Sequence, residues 1–466
     1  MKGIVATLIV YQLLLLAIGW WASKRNLDSE DFYLGGRKLG GAVAALSASA
    51  SSSSAWSLLG VSGAAFAWGL PAIWLIPATI SGFIINWVWI APRLRQQSKD
   101  NRAVTLTEFL AGPRGDPARR AILWLGSIVI LFSFTFYVAS QFQAAGNTFA
   151  SVLEIPQAPA ILIGAAVVLA YVWLGGFWAA SVTDSLQGLL MAAAAVILPL
   201  AALVAVGGFG PLIENLLAGG ETGFRLWTGQ PSLVVALGFV IGLLGIGLGY
   251  PGQPHVVNRF MAAGSDGAIR RGRVIAIAWA VIIYCGMVLL GWCGRLLLSS
   301  QAEAEHVLFD VATMLLPAVF AGVMVSAILS AIMSTADSQL LVAASSVSHD
   351  LRDGRTGDAG SLRRARWTVI FVGLAAILLA IVFPDKIFTR VLFAWQALAA
   401  SFGPLLVVTL WRGPVRPYFR IAALACGFTL TVALSWTTDT PGDWLERYLP
   451  MSLALALALL GTRKSP

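Results

Sequence analysis

Uncharged apolar runs of roughly twenty residues recur along this chain, each long enough to cross a ~30 Å hydrocarbon layer as a helix. About thirteen are legible, over roughly 3–22, 41–68, 72–91, 121–150, 157–177, 183–207, 231–252, 273–298, 311–346, 367–383, 387–410, 418–436 and 448–461. They are continuously apolar rather than alternating, which argues against a β-barrel. The fold class expected is therefore an all-α polytopic membrane protein. With 58% hydrophobic and only 11% charged residues, an ordinary soluble domain is excluded. The first run does not read as a cleaved signal, because Lys24 and Arg25 follow it and no small-x-small pattern precedes them.

The net charge of +9 has a topological explanation. With the N-terminus outside and the runs alternating, the inner loops collect about 25 of the basic residues, as expected of cytoplasmic loops. Examples are Arg93, Arg95, Arg119, Arg120, Arg270, Arg271, Arg363 and Arg364. The expected setting is the inner (plasma) membrane, with the lipid bilayer as partner, the N-terminus outside, the C-terminus cytoplasmic, and no nucleic acid bound. Cys285, Cys293 and Cys426 lie inside apolar runs with no zinc or redox spacing and read as small buried hydrophobes. His255, His306 and His349 are too scattered for a metal cluster.

Two runs are poorly made as helices. The second contains Ser47-Ala48-Ser49-Ala50-Ser51-Ser52-Ser53-Ser54, and the seventh contains Gly242, Gly245, Gly247, Gly249 and then Pro251-Gly252-Gln253-Pro254. Serine competes for backbone hydrogen bonds, glycine adds entropy cost and proline removes a donor. Small residues for close helix packing are an alternative for each break alone. Each break, however, opens a block of five runs, about 41–207 and 231–410, and five being odd, the second block is inverted relative to the first. Interrupted helices at matching positions in two halves point to a transporter's binding site. Residues 1–40 and 411–466 are peripheral, and 208–230 reads as an outer loop. A helical piece is expected at Thr105–Leu110, and a short flexible connection at Gly354–Gly360.

The ninth run carries Ala331-Ile332-Met333-Ser334-Thr335-Ala336-Asp337-Ser338-Gln339. Ala331, Ser334, Thr335 and Ser338 share one helix face. Polar groups at membrane depth mark function by default. The Ala331 carbonyl and the two hydroxyls suit a small hard cation; alternatively both hydroxyls bond to carbonyls one turn earlier.

These motifs, together with Tyr33-Leu34-Gly35-Gly36-Arg37, Gly175-Gly176-Phe177, Thr183-Asp184-Ser185-Leu186-Gln187, Gly249-Tyr250-Pro251-Gly252-Gln253-Pro254-His255 and Arg259-Phe260-Met261, run in order along almost the whole chain. The ordered set resembles the sodium:solute symporters, and among them most closely the sodium/proline symporters. The resemblance implies a LeuT-type five-plus-five inverted repeat. It implies Na⁺ as coupling ion, held by Ala50, Ser53, Ala331, Ser334 and Thr335. It implies a second ion site or release path at Asp184, Ser338 and Asp337, although Asp184 has helix capping as an alternative and Asp337 an ion pair with an inner arginine. For a small-molecule solute it points to Ser54, Trp56, Gly60, Tyr137, Tyr250 and Pro254. Two positions depart from the sodium/proline pattern: Ser52 stands where those proteins carry aspartate, and Ile246 where they carry tryptophan. The expected function is a sodium-coupled symporter, not an enzyme, importing proline or a related amino acid by alternating access. A sugar, sialic acid or carboxylate solute, or proton coupling, are the alternatives. A membrane sensor module without transport is the remote one, set aside because no soluble appendage follows the last run. The oligomeric state is left open.

Overall fold

The computed structural model describes residues 2–23, 39–218, 220–299, 301–352, 359–436 and 440–462. The Tyr33–Arg37 motif and most of the Gly354–Gly360 connection lie outside the described residues. In chain order the α-helices are α1 (Lys2–Ser23), α2 (Gly41–Ser52), α3 (Val61–Trp68), α4 (Leu75–Ile84), α5 (Ala91–Asp100), α6 (Leu106–Ala111), α7 (Arg119–Leu153) and α8 (Gln157–Ala205). They continue as α9 (Phe209–Leu217), α10 (Gly223–Thr228), α11 (Leu233–Leu248), α12 (Pro254–Ala262), α13 (Asp266–Leu297), α14 (Val307–Leu315) and α15 (Ala318–Ser348). The last are α16 (Ala359–Val382), α17 (Ile387–Arg412), α18 (Pro417–Leu434) and α19 (Trp444–Leu460). Among the described residues the only β pairings are isolated bridges, Leu39 with Ala263 and Val415 with Thr462.

Among the described residues, 9 helical segments are long and apolar enough to cross a membrane. The chain is thus a multi-pass membrane protein. The other expected spans are helical too: α1, whose apolar part is Lys2–Ile18, the broken α2–α3 pair, the first part of α8, and the 17-residue α19. Two boundaries differ from expectation. Residues 157–177 and 183–207 form one helical run, Gln157–Ala205. The glycines between them cost a helix only about 1 kcal/mol each, and no proline there removes a donor. The run expected at 311–346 is split, because Leu316 is extended and Pro317 starts a new helix, so α14 is separate from α15. Cys293 is buried as expected, but Cys285 is exposed on α13 and Cys426 is half-buried, positions where an apolar thiol can face lipid.

Burial ranks the helices. The apolar windows of α15 and α17 are 78% and 89% buried, against 28% for α18, so the first two run through the centre and α18 lies at the rim. Packing is reciprocal between the two blocks. The broken pair α2–α3 packs on α13, and α11, which leads into the second break, packs on α4; α15 packs on α8, while α7 packs on α16 and α17.

The short helix α6 docks this bundle's Arg-rich end. Thr105 caps it, accepting from Glu108 N–H at 3.0 Å, and its hydroxyl donates to Asp350 just past α15 at 2.7 Å. Glu108 in turn contacts His349 (2.9 Å), accepts from Val104 N–H (2.9 Å) and pairs with Arg119 (3.0 Å). Burial alone would raise the Glu108 pKa. The His349 contact and charge, then Val104 and Arg119, outweigh it and pull the pKa down to about 2. A carboxylate depressed on folding stabilises above its unfolded pKa, ~4.3, and that contribution is lost as pH falls toward the folded value. Thermal melting should therefore weaken between pH 5 and pH 2, and Glu108→Gln should flatten that slope. An equally steep acid slope in the variant would remove Glu108 as its source.

Candidate ion and solute sites

The serine run ends α2 at Ser52, and Ser53 leaves the helical region at φ −116°, ψ 81°. The chain then re-enters through a wide π turn at Trp56–Gly60. Backbone groups freed inside a membrane protein need partners, and here nearby side chains supply them. Ser54 Oγ accepts from Trp56 N–H at 3.2 Å, and Gln141 Oε1 of α7 accepts from Ala55 N–H at 3.1 Å.

The second break is satisfied in the same way. After α11 the chain makes a single 3₁₀ turn, Tyr250–Gly252, and Gln253 is extended before Pro254 opens α12. Asn86 Nδ2 donates to Tyr250 O (3.1 Å), Gln253 Nε2 to Gly249 O (3.2 Å) and Trp395 O (2.9 Å), and Trp395 Nε1 to Ile246 O (3.2 Å). Gly252 allows this approach: a Cβ there would lie 2.6 Å from Ala399 Cα.

At the first break the ninth-run face meets the end of α2. Ser334 Oγ lies 3.2 Å from Ala50 O and 3.4 Å from Ala331 O, and Thr335 Oγ1 lies 3.1 Å from Ser51 O. All of these residues are fully buried. Four of the five expected ion ligands are therefore brought together, Ala50, Ala331, Ser334 and Thr335. The fifth, Ser53, adjoins them through its N–H, which donates to Ala50 O at 3.1 Å. The Ser51 carbonyl, absent from the expected set, joins them. The alternative in which both hydroxyls serve their own helix holds only weakly for Ser334 and not for Thr335, since each reaches across to α2. Neutral carbonyl and hydroxyl oxygens are the donor type for a hard monovalent cation. Ser52 hydrogen-bonds back to Ser49 O at 2.9 Å.

Toward the Arg-rich end, one turn further along α15, lies a fully buried ion pair. Arg259 Nη2 of α12 is 3.0 Å from Asp184 Oδ2 of α8. Ser47 and Ser51 donate to the same oxygen at 2.7 and 3.1 Å, and Ser51 and Ser338 hydroxyls are 2.9 Å apart. Arg259 also donates from Nε to Ser47 Oγ at 3.1 Å and from Nη2 to Ser338 Oγ, and its guanidinium lies over the Phe177 ring at 5.3 Å. Asp184 is therefore not a helix cap: it sits inside the helix Gln157–Ala205. Asp337 accepts from Ser338 Oγ at 2.9 Å. Beyond this pair is a constriction of about 10 Å³ lined in part by Thr105, Phe177, Arg259, Ser338 and Ser345.

On the opposite side of the expected ion ligands lies an aromatic cluster. Tyr137 Oη donates to Ser54 Oγ at 3.3 Å, the Ser57 and Tyr284 hydroxyls are 3.0 Å apart, and those of Tyr284 and Tyr250 are 3.2 Å apart. Trp56 packs at a tilt against Tyr284 and Phe388 with centroids at 6.3 and 5.6 Å, and Tyr250 meets Trp395 edge to face at 4.7 Å. Gly60 keeps the Trp56 ring close, since a Cβ would lie 3.1 Å from Trp56 Cδ1. Ser54, Trp56, Gly60, Tyr137 and Tyr250 are thus neighbours, and the buried Pro254 lies beyond the second break as the start of α12. Phe388 separates the cluster from a cavity of about 690 Å³ lined by Trp68, Phe239, Phe388 and Arg447, among others. Phe388 is itself fixed by Glu305, whose carboxylate accepts from Ile387 and Phe388 N–H at 3.3 and 3.0 Å.

Sequence reasoning did not give roles to Ser47, Gln141, Arg259, Tyr284, Phe388 or Trp395. Gln141 and Tyr284 carried a usable signal, being polar groups in mid-span. Phe388 and Trp395 carried none, because aromatics are common throughout these runs. A Cβ at position 82 would lie 2.1 Å from the Tyr250 ring. Gly82→Ala is therefore expected to displace Tyr250 and raise the solute Km about tenfold or more, in line with overpacking costs of about 1–3 kcal/mol. An unchanged Km in uptake assays would remove Tyr250 from the solute cluster.

Two broken helices, one of them meeting α15 in a cluster of neutral oxygens, invite comparison with known transporters. The sodium:solute symporter family profile matches residues 32–415. The chain belongs to that family. The high-affinity proline transporter of Bacillus subtilis is 34% identical over 454 residues, covering 96% of this chain and 94% of that protein. The sodium/proline symporter of Escherichia coli is 35% identical over 426 residues, covering 88% and 83%. Among solved structures, a substrate-bound, outward-open Na⁺-coupled sialic acid symporter aligns with a TM-score of 0.83 at 17% identity, covering 98% of this chain and 97% of that one. A nucleobase-cation-symport-1 family transporter in a closed conformation aligns at 0.58 and 15% identity. These likenesses give this family member its fold, the LeuT type.

Proposed function

We propose that this chain is a sodium-coupled symporter that imports proline or a closely related amino acid. The observation that carries the reading is the meeting of Ala50, Ala331, Ser334 and Thr335 oxygens where α2 breaks against α15. Relatives named as sodium/proline symporters support both ion and solute. Ion ligands drawn from two helices couple binding to the helices' relative position. A ligand drives a conformational change only insofar as it binds one state better. The Ser54–Trp56–Tyr137–Tyr250 cluster is the solute pocket in this reading, with Tyr284 as a further wall. Where the sodium/proline pattern has a tryptophan, Ile246 offers only its carbonyl, and Trp395, donating to that carbonyl, lays its own ring against Tyr250.

Asp184 and Ser338 form the inner mouth of the ion path in this reading. Asp184 Oδ2 is spent on Arg259, Ser47 and Ser51, while its buried Oδ1 has no hydrogen-bond donor among the described residues and is the oxygen a passing cation would meet. The two inverted blocks, 41–207 and 231–410, are supported by the reciprocal packing, and the arginine bias supports an outside N-terminus and a cytoplasmic C-terminus. Proteoliposomes loaded without sodium should accumulate radiolabelled proline when external sodium is added. No accumulation of proline under a sodium gradient would overturn the solute assignment. Ser52, a neutral residue in place of aspartate, favours testing proton coupling as the second reading, and accumulation driven equally well by a pH gradient without sodium would establish it.

A further inference from the structure

We propose that an arginine-lined cavity at the Arg-rich end of the bundle binds the phosphate group of an anionic phospholipid. The cavity measures about 670 Å³ and lies between the end of α5, the loops flanking α6, the end of α17 and the start of α18. Arg102, Arg114, Arg119 and Arg420 line it, against a single lining carboxylate, Glu108. Asp116, close by, pairs with Arg420.

The wall is built rather than a scatter of surface charge. Arg420 is only 5% exposed, and its Nη1 donates to Leu110 O and Ala111 O at 3.2 and 2.8 Å. Among the described residues its buried Nε–H has no acceptor. Arg119 is held by Glu108 and the Gly112 carbonyl. Gly112 adopts φ +79°, and a Cβ there would lie 2.9 Å from Arg420 Nη1, so the loop closes on the guanidinium only with glycine at this position. Planar, permanently charged guanidinium groups present forked N–H donors that suit phosphate oxygens.

A phospholipid is the favoured source because of where the cavity opens. It is rimmed by Gly413, Pro414 and Val415, between Trp411 and Tyr418, which are 43% and 75% exposed. Arg93 stacks over Trp411 at 4.3 Å. Exposed Trp and Tyr beside arginines mark the headgroup level of a membrane protein, and α18, next to the cavity, is the least enclosed of the spans.

The test is melting of the full chain in neutral detergent with short-chain phosphatidylglycerol, phosphatidylcholine of the same chain length, or inorganic phosphate at matched concentration. Wild type should melt several degrees higher with phosphatidylglycerol alone. Arg102→Gln with Arg114→Gln should lose at least half of that shift, while Arg270→Gln with Arg271→Gln, an equal charge change elsewhere, should keep it. The absence of a wild-type shift, an equal shift in the Arg102/Arg114 variant, or an equal shift with phosphatidylcholine would overturn the proposal. An equal shift with inorganic phosphate would overturn the lipid source and assign the site to soluble phosphate.

Discussion

Replacing Ser334 and Thr335 together by alanine should abolish sodium-stimulated uptake while leaving an inserted protein. Both hydroxyls reach from α15 to carbonyls at the end of α2, at 3.2 and 3.1 Å. A bound cation would take its oxygens from both sides of that seam, and the double variant deletes the α15 hydroxyls. The two stranded carbonyls should cost about 1–3 kcal/mol each, so the melting temperature falls as well. Thr335→Ser separates the two effects. It keeps an oxygen and should retain most of the sodium stimulation. Sodium should also raise the melting temperature of wild type relative to potassium, by mass action on the folded state, and should not do so for the double variant. A double variant whose uptake still rises with sodium as in wild type would sink the ion assignment.

The second large effect is expected at the buried pair. Asp184→Asn or Arg259→Gln alone strands one full charge in a site where both side chains are essentially unexposed. Breaking a buried pair from one side costs about 3–5 kcal/mol, whereas neutralising both sides costs far less. Each single variant should therefore lose much of its folded yield, and the double Asp184→Asn, Arg259→Gln should recover most of it. Recovery of folding without recovery of uptake would separate the pair's role on the ion path from its role in stability. Single variants that melt like wild type would show that the charges are not buried together.

Much of this fold was legible because membrane helices report themselves by length and apolarity. The broken helices were legible because Ser51–Ser54 and Pro251–Pro254 violate helix chemistry twice. What could not be read were contacts decided by packing between distant elements. The pairing of Asp184 with Arg259 joins residues on α8 and α12, and nothing in either local sequence favours Arg259 over Asp337's neighbours as the partner. The merged helix Gln157–Ala205 and the separate α14 have local causes: Gly175 and Gly176 cost a helix little, and Pro317 interrupts an otherwise apolar stretch. Thr335 was placed correctly by helix periodicity, but that it faces the Ser51 carbonyl depends on the register between α2 and α15, which periodicity within one helix cannot supply.

α15 is a proline-free rod of 31 residues, and several contacts are strung along it. Ser330 holds Tyr11 of α1 at 2.6 Å, Ser334 and Thr335 touch α2, Ser338 touches Arg259, and at its end His349 and Asp350 hold α6. Thr335 to His349 spans about 21 Å at 1.5 Å per residue, so a tilt of about 5° pivoting on Thr335 would move the far end by about 2 Å. That displacement exceeds what hydrogen bonds of 2.7 and 2.9 Å to Asp350 and His349 can stretch. A tilt about Thr335 would thus leave the contacts with α2 almost unmoved while parting those with α6, a difference in reach set by nothing more than the number of residues between them.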